Sequence, residues 1–275
     1  MTHQDRARLA GQVALVTGGG RGIGRAIAIA LSDAGAMLAV VARSEAEIEE
    51  TVGLIVEGGG RAVGFAADVT NRVDVERAVA VTEKEIGPVS ILVNNAGSAG
   101  PLTPLWETDP EDWWRTIEIN LRGPMLCAHA VLPGMIQRRR GTIVNVGSYA
   151  GIRASTGGGH GPYATSKAAL VRFTDSLAAA TGEHGVQVFT ISPGLVHTAM
   201  TAGIVDFDQI PEDAWSPPEA AALLVVRLAE GAGAGLNGRF IHVNDDLDLL
   251  AREAERIERE GLYTLRLLNL DGPVE

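Results

Sequence analysis

Lysine is almost missing from this chain. Of 23 basic residues only Lys84 and Lys167 are lysines; the others are arginines. Cysteine is scarcer still. Cys127 stands alone, which excludes an intrachain disulfide and suits a reducing compartment. No apolar run is long enough to span a bilayer, and the polar start from Met1 to Arg6 carries no secretory hydrophobic segment. The expectation is a soluble cytoplasmic protein. Positive charge is in deficit, with a formal net charge of −11, which speaks against a nucleic-acid surface. The one basic cluster, Arg138-Arg139-Arg140, directly precedes Gly141 and reads as a helix C-terminus with a glycine stop. Metal-ligand spacing is absent as well. His3, His129, His160, His184, His197 and His242 are dispersed, and there is no cysteine pair, so no metal is expected.

What is present draws attention to one of the two lysines. Lys167 follows Tyr163 by four residues, which on a helix puts both on one face a turn apart. An ammonium beside a phenol favours the phenolate, so the pair predicts a tyrosine pKa below its ordinary value of about 10. Such a group gives and takes a proton near neutral pH. Arginine would serve poorly there, since it does not release its proton. The plainer reading is an ordinary helix pair.

Along the 275 residues, short β-branched runs alternate with longer amphipathic ones. Residues 13–17, 37–42, 61–66, 90–93, 142–146, 186–191 and 239–243 read as strands, most of them apolar throughout, as parallel strands covered on both faces should be. Helical patterns lie near 22–34, 45–57, 71–86, 111–139, 163–183 and 217–229. The alternation predicts an α/β fold: a doubly wound, Rossmann-like, seven-stranded, mostly parallel sheet with helices on both faces. Residues 1–246 form one domain in this reading. A helical tail, 247–275, packs on it or on a neighbouring subunit, with Gly261 as a helix stop. Residues 199–216 break the rhythm and read as a flap.

Gly18-Gly19-Gly20-Arg21-Gly22-Ile23-Gly24 follows the first strand and opens the first helix. Glycines permit the tight turn and let a pyrophosphate approach the backbone, and the helix N-terminus offers free N–H groups. The second strand ends at Ala42-Arg43 with no acidic residue to hold ribose hydroxyls. Arg43, with Arg21 as a second cation, fits a 2′-phosphate, which favours NADP(H) over NAD(H). Alternatively Arg43 is a solvated residue at a helix start.

With these motifs in order the chain resembles the short-chain dehydrogenase/reductase family over about residues 10–243. The motifs are Thr17-Gly18-x-x-x-Gly22-x-Gly24, Asp68-Val69, Asn94-Asn95-Ala96-Gly97, Asn120, Ser148, Tyr163-x-x-x-Lys167 and Ser192-Pro193-Gly194. The resemblance implies hydride transfer between a nicotinamide cofactor and a carbonyl or secondary alcohol. Tyr163 would be the acid/base and Lys167 would lower its pKa and anchor the nicotinamide ribose. Ser148 would orient the carbonyl, and Asn120 would hold a relay water. Gly18, Gly20, Gly22, Ile23, Gly24, Asn95, Ala96 and Gly97 would line the cofactor. Asp68 and Val69 would meet the adenine, and Pro193, Gly194, Val196 and Thr198 would border the nicotinamide. Asn94 would steady the fourth strand. Turn capping competes for Asp68 and Asn94, and a helix kink competes for Asn120 while remaining compatible with the relay. Tyr149 has Arg153, not lysine, four residues on, and is assigned to the pocket wall or the surface.

The chain departs from the family pattern in two places. The segment between Ser148 and Tyr163 is longer and rich in glycine, with His160 facing either substrate or solvent. Asn244-Asp245-Asp246 replaces a glycine-rich ending, which puts subunit packing at that end in doubt. A homodimer or homotetramer through the helices near 111–139 and 163–183 is expected. The flap's Met200, Ile204, Val205, Phe207, Ile210 and Trp215, with Trp106, Trp113 and Trp114 nearby, suggest an apolar or bulky substrate. The same side chains equally suit a core or an interface. A redox-silent dinucleotide binder on the same fold, or a lyase or epimerase, are the alternatives; the presence of all four polar residues disfavours the first.

Overall fold

The computed structural model describes residues 8–153, 161–202, 211–269 and 272–273. Seven strands form one sheet in the order β3-β2-β1-β4-β5-β6-β7, where β1 is Val13–Thr17, β2 Met37–Ala42, β3 Ala62–Ala66, β4 Val89–Asn94, β5 Gly141–Val146, β6 Val186–Ser192 and β7 Phe240–His242. Every pairing in it is parallel. The order reverses between β1 and β4, so the carboxyl ends of those strands open a crevice. Thr17 leads into the glycine loop there, and Asn94 into Asn95-Ala96-Gly97.

Helices α1 (Gly22–Asp33), α2 (Glu45–Glu57) and α8 (Pro218–Ala229) enclose one apolar layer with Ile27, Leu31, Val225 and Leu228. Helices α3 (Arg72–Glu85), α5 (Gly123–Arg138) and α6 (Gly161–Thr181) enclose the other with Val75, Val131, Met135 and Ala178. β1 and β5 are buried along their whole length and β4 at every position but Ser90, which explains their mostly apolar composition. Cys127 lies inside α5, where burial pushes its thiol up to about 12, so it is inert at neutral pH.

One row of the sheet is polar. Thr17, Asn94, Asn145 and Thr190 are successive register partners on β1, β4, β5 and β6, each at most 2% exposed. Asn94 Nδ2 donates to Asn145 Oδ1 at 2.8 Å, and Asn145 Nδ2 donates to Thr174 Oγ1 on α6 at 2.8 Å. Thr190 Oγ1 donates to Thr174 Oγ1 at 2.7 Å.

The helix expected over 111–139 is present as an unbroken helical run from Pro110 to Arg138, with a π turn inside it. α4 (Pro110–Ile117) runs into a π-helical turn, Glu118–Arg122, before α5 begins. The inserted residue leaves no trace in apolar periodicity, but it seats Asn120 at the turn. After β7, α9 (Leu247–Arg252) and α10 (Ala254–Arg259) bury Leu247, Leu250 and Ile257 in the α1/α8 layer of their own domain. Asp246 caps α9 by accepting from the Asp248 and Leu249 N–H groups. The Tyr263 carbonyl then accepts from the Phe240 N–H at 2.8 Å, closing the outer edge of β7. A short antiparallel pair, β8 (Leu268–Asn269) and β9 (Gly272–Pro273), follows.

Candidate active site

A cleft of about 880 Å³ opens over the crevice. Gly18, Gly20, Arg21, Gly22, Ile23 and Gly24 form one wall, with Arg43, Ser44 and Glu47 at its corner. Asp68, Val69, Asn95, Ala96 and Gly97 form the floor, and Gly147, Tyr163, Lys167, Pro193, Thr198 and Met200 the far end.

The glycine loop fits a pyrophosphate on three counts. Gly18 has φ +63° and Gly22 φ +55°, values that favour glycine. A Cβ on Gly18 would lie 2.9 Å from Ala96 Cα, so loop and floor touch backbone to backbone. Arg21 at the N-cap of α1 makes no side-chain cap, which leaves the first N–H groups of a 12-residue helix open to the cleft. Asn95 acts behind this loop as well as lining the floor. Its Nδ2 donates to the carbonyls of Thr17 (3.0 Å) and Gly18 (3.1 Å), while Thr17 Oγ1 accepts from the N–H groups of Asn95 (3.1 Å) and Ala96 (3.2 Å).

On the cleft floor the carboxylate of Asp68 is already engaged. It accepts from the Thr70 N–H at 2.9 Å, the Thr70 hydroxyl at 2.7 Å and Arg115 Nη2 at 2.9 Å. Burial alone would raise its pKa, but the Thr70 bonds and the Arg115 guanidinium outweigh burial and hold it below the ordinary carboxylate value. The turn-capping reading of Asp68 is therefore what the geometry displays, with Arg115 on α4 as a partner that the motif did not reveal.

Around the reacting end, Ser148 follows β5 and hydrogen-bonds the Tyr163 phenol, while its Oγ accepts from the Ala150 N–H at 3.1 Å. Lys167 is 5% exposed, and its Nζ donates to the Val146 carbonyl at 2.7 Å. The expected lowering of the tyrosine is not found. Burial raises the Tyr163 phenol above its ordinary value, opposed by the Ser148 bond. The Lys167 ammonium instead lies against the strand carbonyl, 5.6 Å from the phenol ring centre, and burial brings it down to about 8. Desolvation thus dominates both groups.

Asn120 is 1% exposed and does not line the cleft. Its Nδ2 donates to the Ser98 carbonyl (2.8 Å) and Ser166 Oγ (2.9 Å), and its Oδ1 accepts from the Ser98 N–H (2.8 Å). Both amide donors are spent within the protein, so the side chain braces the π turn in which it sits, as the kink reading expects. Ser166, which sequence reasoning passed over, completes the brace by donating to the Tyr163 carbonyl at 2.7 Å. Its place three residues after Tyr163 on a buried helix face was the available signal.

Other expectations divide. Gly194 and Val196 lie behind the wall: a Cβ on Gly194 would lie 2.9 Å from Ser216 Cβ, and Val196 is 2% exposed. The Thr198 hydroxyl accepts from the Thr201 N–H at 3.2 Å at the start of α7 (Ala199–Ala202). Trp106 and Trp114 are 81% and 59% exposed, and neither they nor Trp113 line the cleft. On α4, Asp112, Arg115 and Thr116 line the cleft in place of half-buried Trp113 and exposed Trp114. Trp215 stacks on His197 at 3.6 Å. Ile204, Val205, Phe207, Ile210 and His160 lie outside the described residues. Tyr149 packs on His242 (4.7 Å) and Phe240 (5.5 Å), with Arg153 5.0 Å from its ring centre, away from the cleft.

The sequence profile of the short chain dehydrogenases matches residues 12–209. The chain belongs to the short-chain dehydrogenase/reductase family. A short chain dehydrogenase of Pseudocercospora fijiensis is 35% identical over 95% of this chain and 91% of its own length. A 3-oxoacyl-(acyl-carrier-protein) reductase of Vibrio cholerae is 36% identical over 88% of this chain and 99% of its own. Among solved structures, a gluconate 5-dehydrogenase from Burkholderia cenocepacia in complex with NADP and tartrate superposes with TM-score 0.80, at 31% identity, covering 90% of this chain and 98% of that one. An NAD+-bound xylitol dehydrogenase superposes with TM-score 0.78, at 25% identity, covering 85% and 98%. Like these short-chain dehydrogenases, the chain is an NAD(P)-dependent oxidoreductase acting on CH–OH/C=O groups.

Proposed function

We propose that the protein interconverts a carbonyl and a secondary alcohol with NADP(H) as the preferred cofactor and Tyr163 as the proton donor and acceptor. The observation that carries the reading is the Tyr163 phenol hydrogen-bonded to Ser148 and one helical turn from buried Lys167, in one cleft with the glycine loop. Bound nicotinamide would supply the hydride. Ser148 orients the substrate oxygen, and Tyr163 gives that oxygen its proton. A phenol held protonated by burial is in the state needed to donate at neutral pH, which suits reduction; oxidation runs the same proton transfer backwards. Lys167, with a pKa of about 8, stays largely charged at pH 7 and spends one of its three donors on Val146, leaving two for ribose hydroxyls. Asn120 and Ser166 act at one remove, fixing the backbone of Tyr163.

Exposed Arg43 at the end of β2, with no acidic residue on the strand tip, supports the phosphorylated cofactor. Better saturation by NADH than by NADPH would refute this choice. The relatives act on unlike molecules, so the substrate class rests on this chain alone. Met200 and Ile119 at the cleft favour an apolar carbonyl compound, to be sought by screening ketones and alcohols for a change in NADPH absorbance. Tyr163→Phe is expected to abolish turnover, with NADPH binding retained in fluorescence titration; surviving activity would overturn the assignment. We further infer a cytoplasmic homodimer or homotetramer joined through α5 and α6, against which a monomer in light scattering at micromolar concentration would count.

A further inference from the structure

The corner of the cleft that would meet the 2′ position of the adenosine ribose holds three charges. Arg43 is exposed at the end of β2. Arg21 and Glu47 face each other there, with Arg21 Nη1 3.2 Å from Glu47 Oε1 and the side chains 64% and 34% exposed. Glu47 is held in place. Its backbone N–H is capped by Ser44 Oγ, its carbonyl accepts from Thr51 Oγ1 at 3.1 Å, and a Cβ on Gly20 would lie 2.8 Å from its own Cβ. The missing side chain at Gly20 is thus what lets Glu47 lean into the cleft.

We propose that Glu47 is a residue that sets coenzyme discrimination, by neutralising Arg21 and repelling a 2′-phosphate. The inference rests on the dinucleotide reading of the cleft but not on which dinucleotide is preferred. A 2′-phosphate brings nearly two negative charges into a corner whose own charge is +1 with Glu47 present and +2 without it. A ribose hydroxyl brings none, so the acid penalises only the phosphorylated cofactor. The preference for NADP(H) is therefore narrower than two arginines alone would give.

The test is Glu47→Gln, which removes the charge and keeps the shape. Dissociation constants for NADPH and NADH are measured on the full chain by fluorescence titration at low and at high salt. The ratio of NADH to NADPH dissociation constants is expected to rise roughly three- to tenfold at low salt, the scale of a partly screened charge pair. That rise should shrink at high salt, which a packing effect would not do. Arg21→Ala in the Glu47→Gln background should remove most of the gain. A ratio that stays within about twofold of wild type, or falls, overturns the proposal. A wild-type protein that prefers NADH while Glu47→Gln still shifts toward NADPH would sink the NADP preference and support the role of Glu47. A wild-type protein that binds neither dinucleotide refutes both.

Discussion

Gly24→Ala is a demanding test of the glycine loop, because the space it would fill is bounded by backbone. A Cβ at position 24 would lie 2.8 Å from the Gly18 carbonyl carbon and closer still to the Gly18 oxygen and to Asn95 Nδ2. Asn95 cannot swing aside without giving up its bonds to the Thr17 and Gly18 carbonyls. Gly18 has little room to retreat, because a Cβ on it would lie 2.9 Å from Ala96 Cα. Overpacking of this kind costs about 1–3 kcal/mol. In a domain of this size that corresponds to a fall in Tm of roughly 2–4 °C per kcal/mol. The displaced loop is the phosphate cradle, so dinucleotide affinity should fall by at least roughly tenfold, or 1.4 kcal/mol. Gly53→Ala is the matched control: it lies inside α2, and its added Cβ meets nothing within 4 Å. It should raise stability by about 1 kcal/mol through helix propensity and leave the cradle alone. Thermal unfolding and NADPH fluorescence on both variants give the answer. If Gly24→Ala melts with wild type and binds with wild-type affinity, the contact between loop and floor is not what holds the cradle.

Three further outcomes follow from contacts already described. Lys167 is pulled down from 10.5 to about 8 by burial, so the folded state binds fewer protons than the unfolded state between those values, and wild-type stability gains as pH rises through that window. Lys167→Met escapes a cost of about 3 kcal/mol at pH 7, and its advantage over wild type should narrow between about pH 8 and 10.5 in parallel denaturant titrations; a pH-independent difference would refute the burial account. Arg115→Ala removes a charged partner from Asp68 and should weaken dinucleotide binding by roughly three- to tenfold, read by titration; unchanged affinity would mean that Thr70 alone positions the carboxylate. A chain ending at Asp246 loses buried Leu247, Leu250 and Ile257 and bares the Phe240 N–H on the β7 edge, so it should aggregate on warming, whereas melting like the full chain would show the tail to be dispensable.

The strand–helix alternation was legible because a sheet covered on both faces demands continuous apolar strands, and α2 falls on the residues expected for it. The π turn was not legible, since one added residue between two helical stretches leaves both stretches amphipathic. At the site, residue types were readable and partners were not. Asp68 stands in the expected turn, yet its engagement by Arg115 depends on a residue 47 positions away. The Tyr163–Lys167 spacing put both groups on α6, but the sign of the phenol shift follows from burial, which four residues of sequence do not report. The tryptophans stay open between pocket and surface in the sequence for a related reason: an aromatic beside a cleft in sequence can face either way, and here Asp112, Arg115 and Thr116 line the cleft instead.

The buried row of Thr17, Asn94, Asn145 and Thr190 acts as a set of alignment pins. In apolar strands covered on both faces, the in/out pattern distinguishes neighbouring registers less sharply than in a half-buried strand, and buried polar partners add to the distinction. A slip of one residue at β4 or β5 would part the Asn94–Asn145 or Asn145–Thr174 bond and strand a buried amide, at about 1–3 kcal/mol for each group left unpaired. The row also stands a short and fixed distance before each piece of the cleft. Thr17 precedes Gly18, Asn94 precedes Asn95, and Asn145 lies three residues before Ser148. A sheet pinned there holds the glycine loop, the Asn95–Gly97 floor and Ser148 at matched heights, so the spacing that the proposed reaction would use is set in the core.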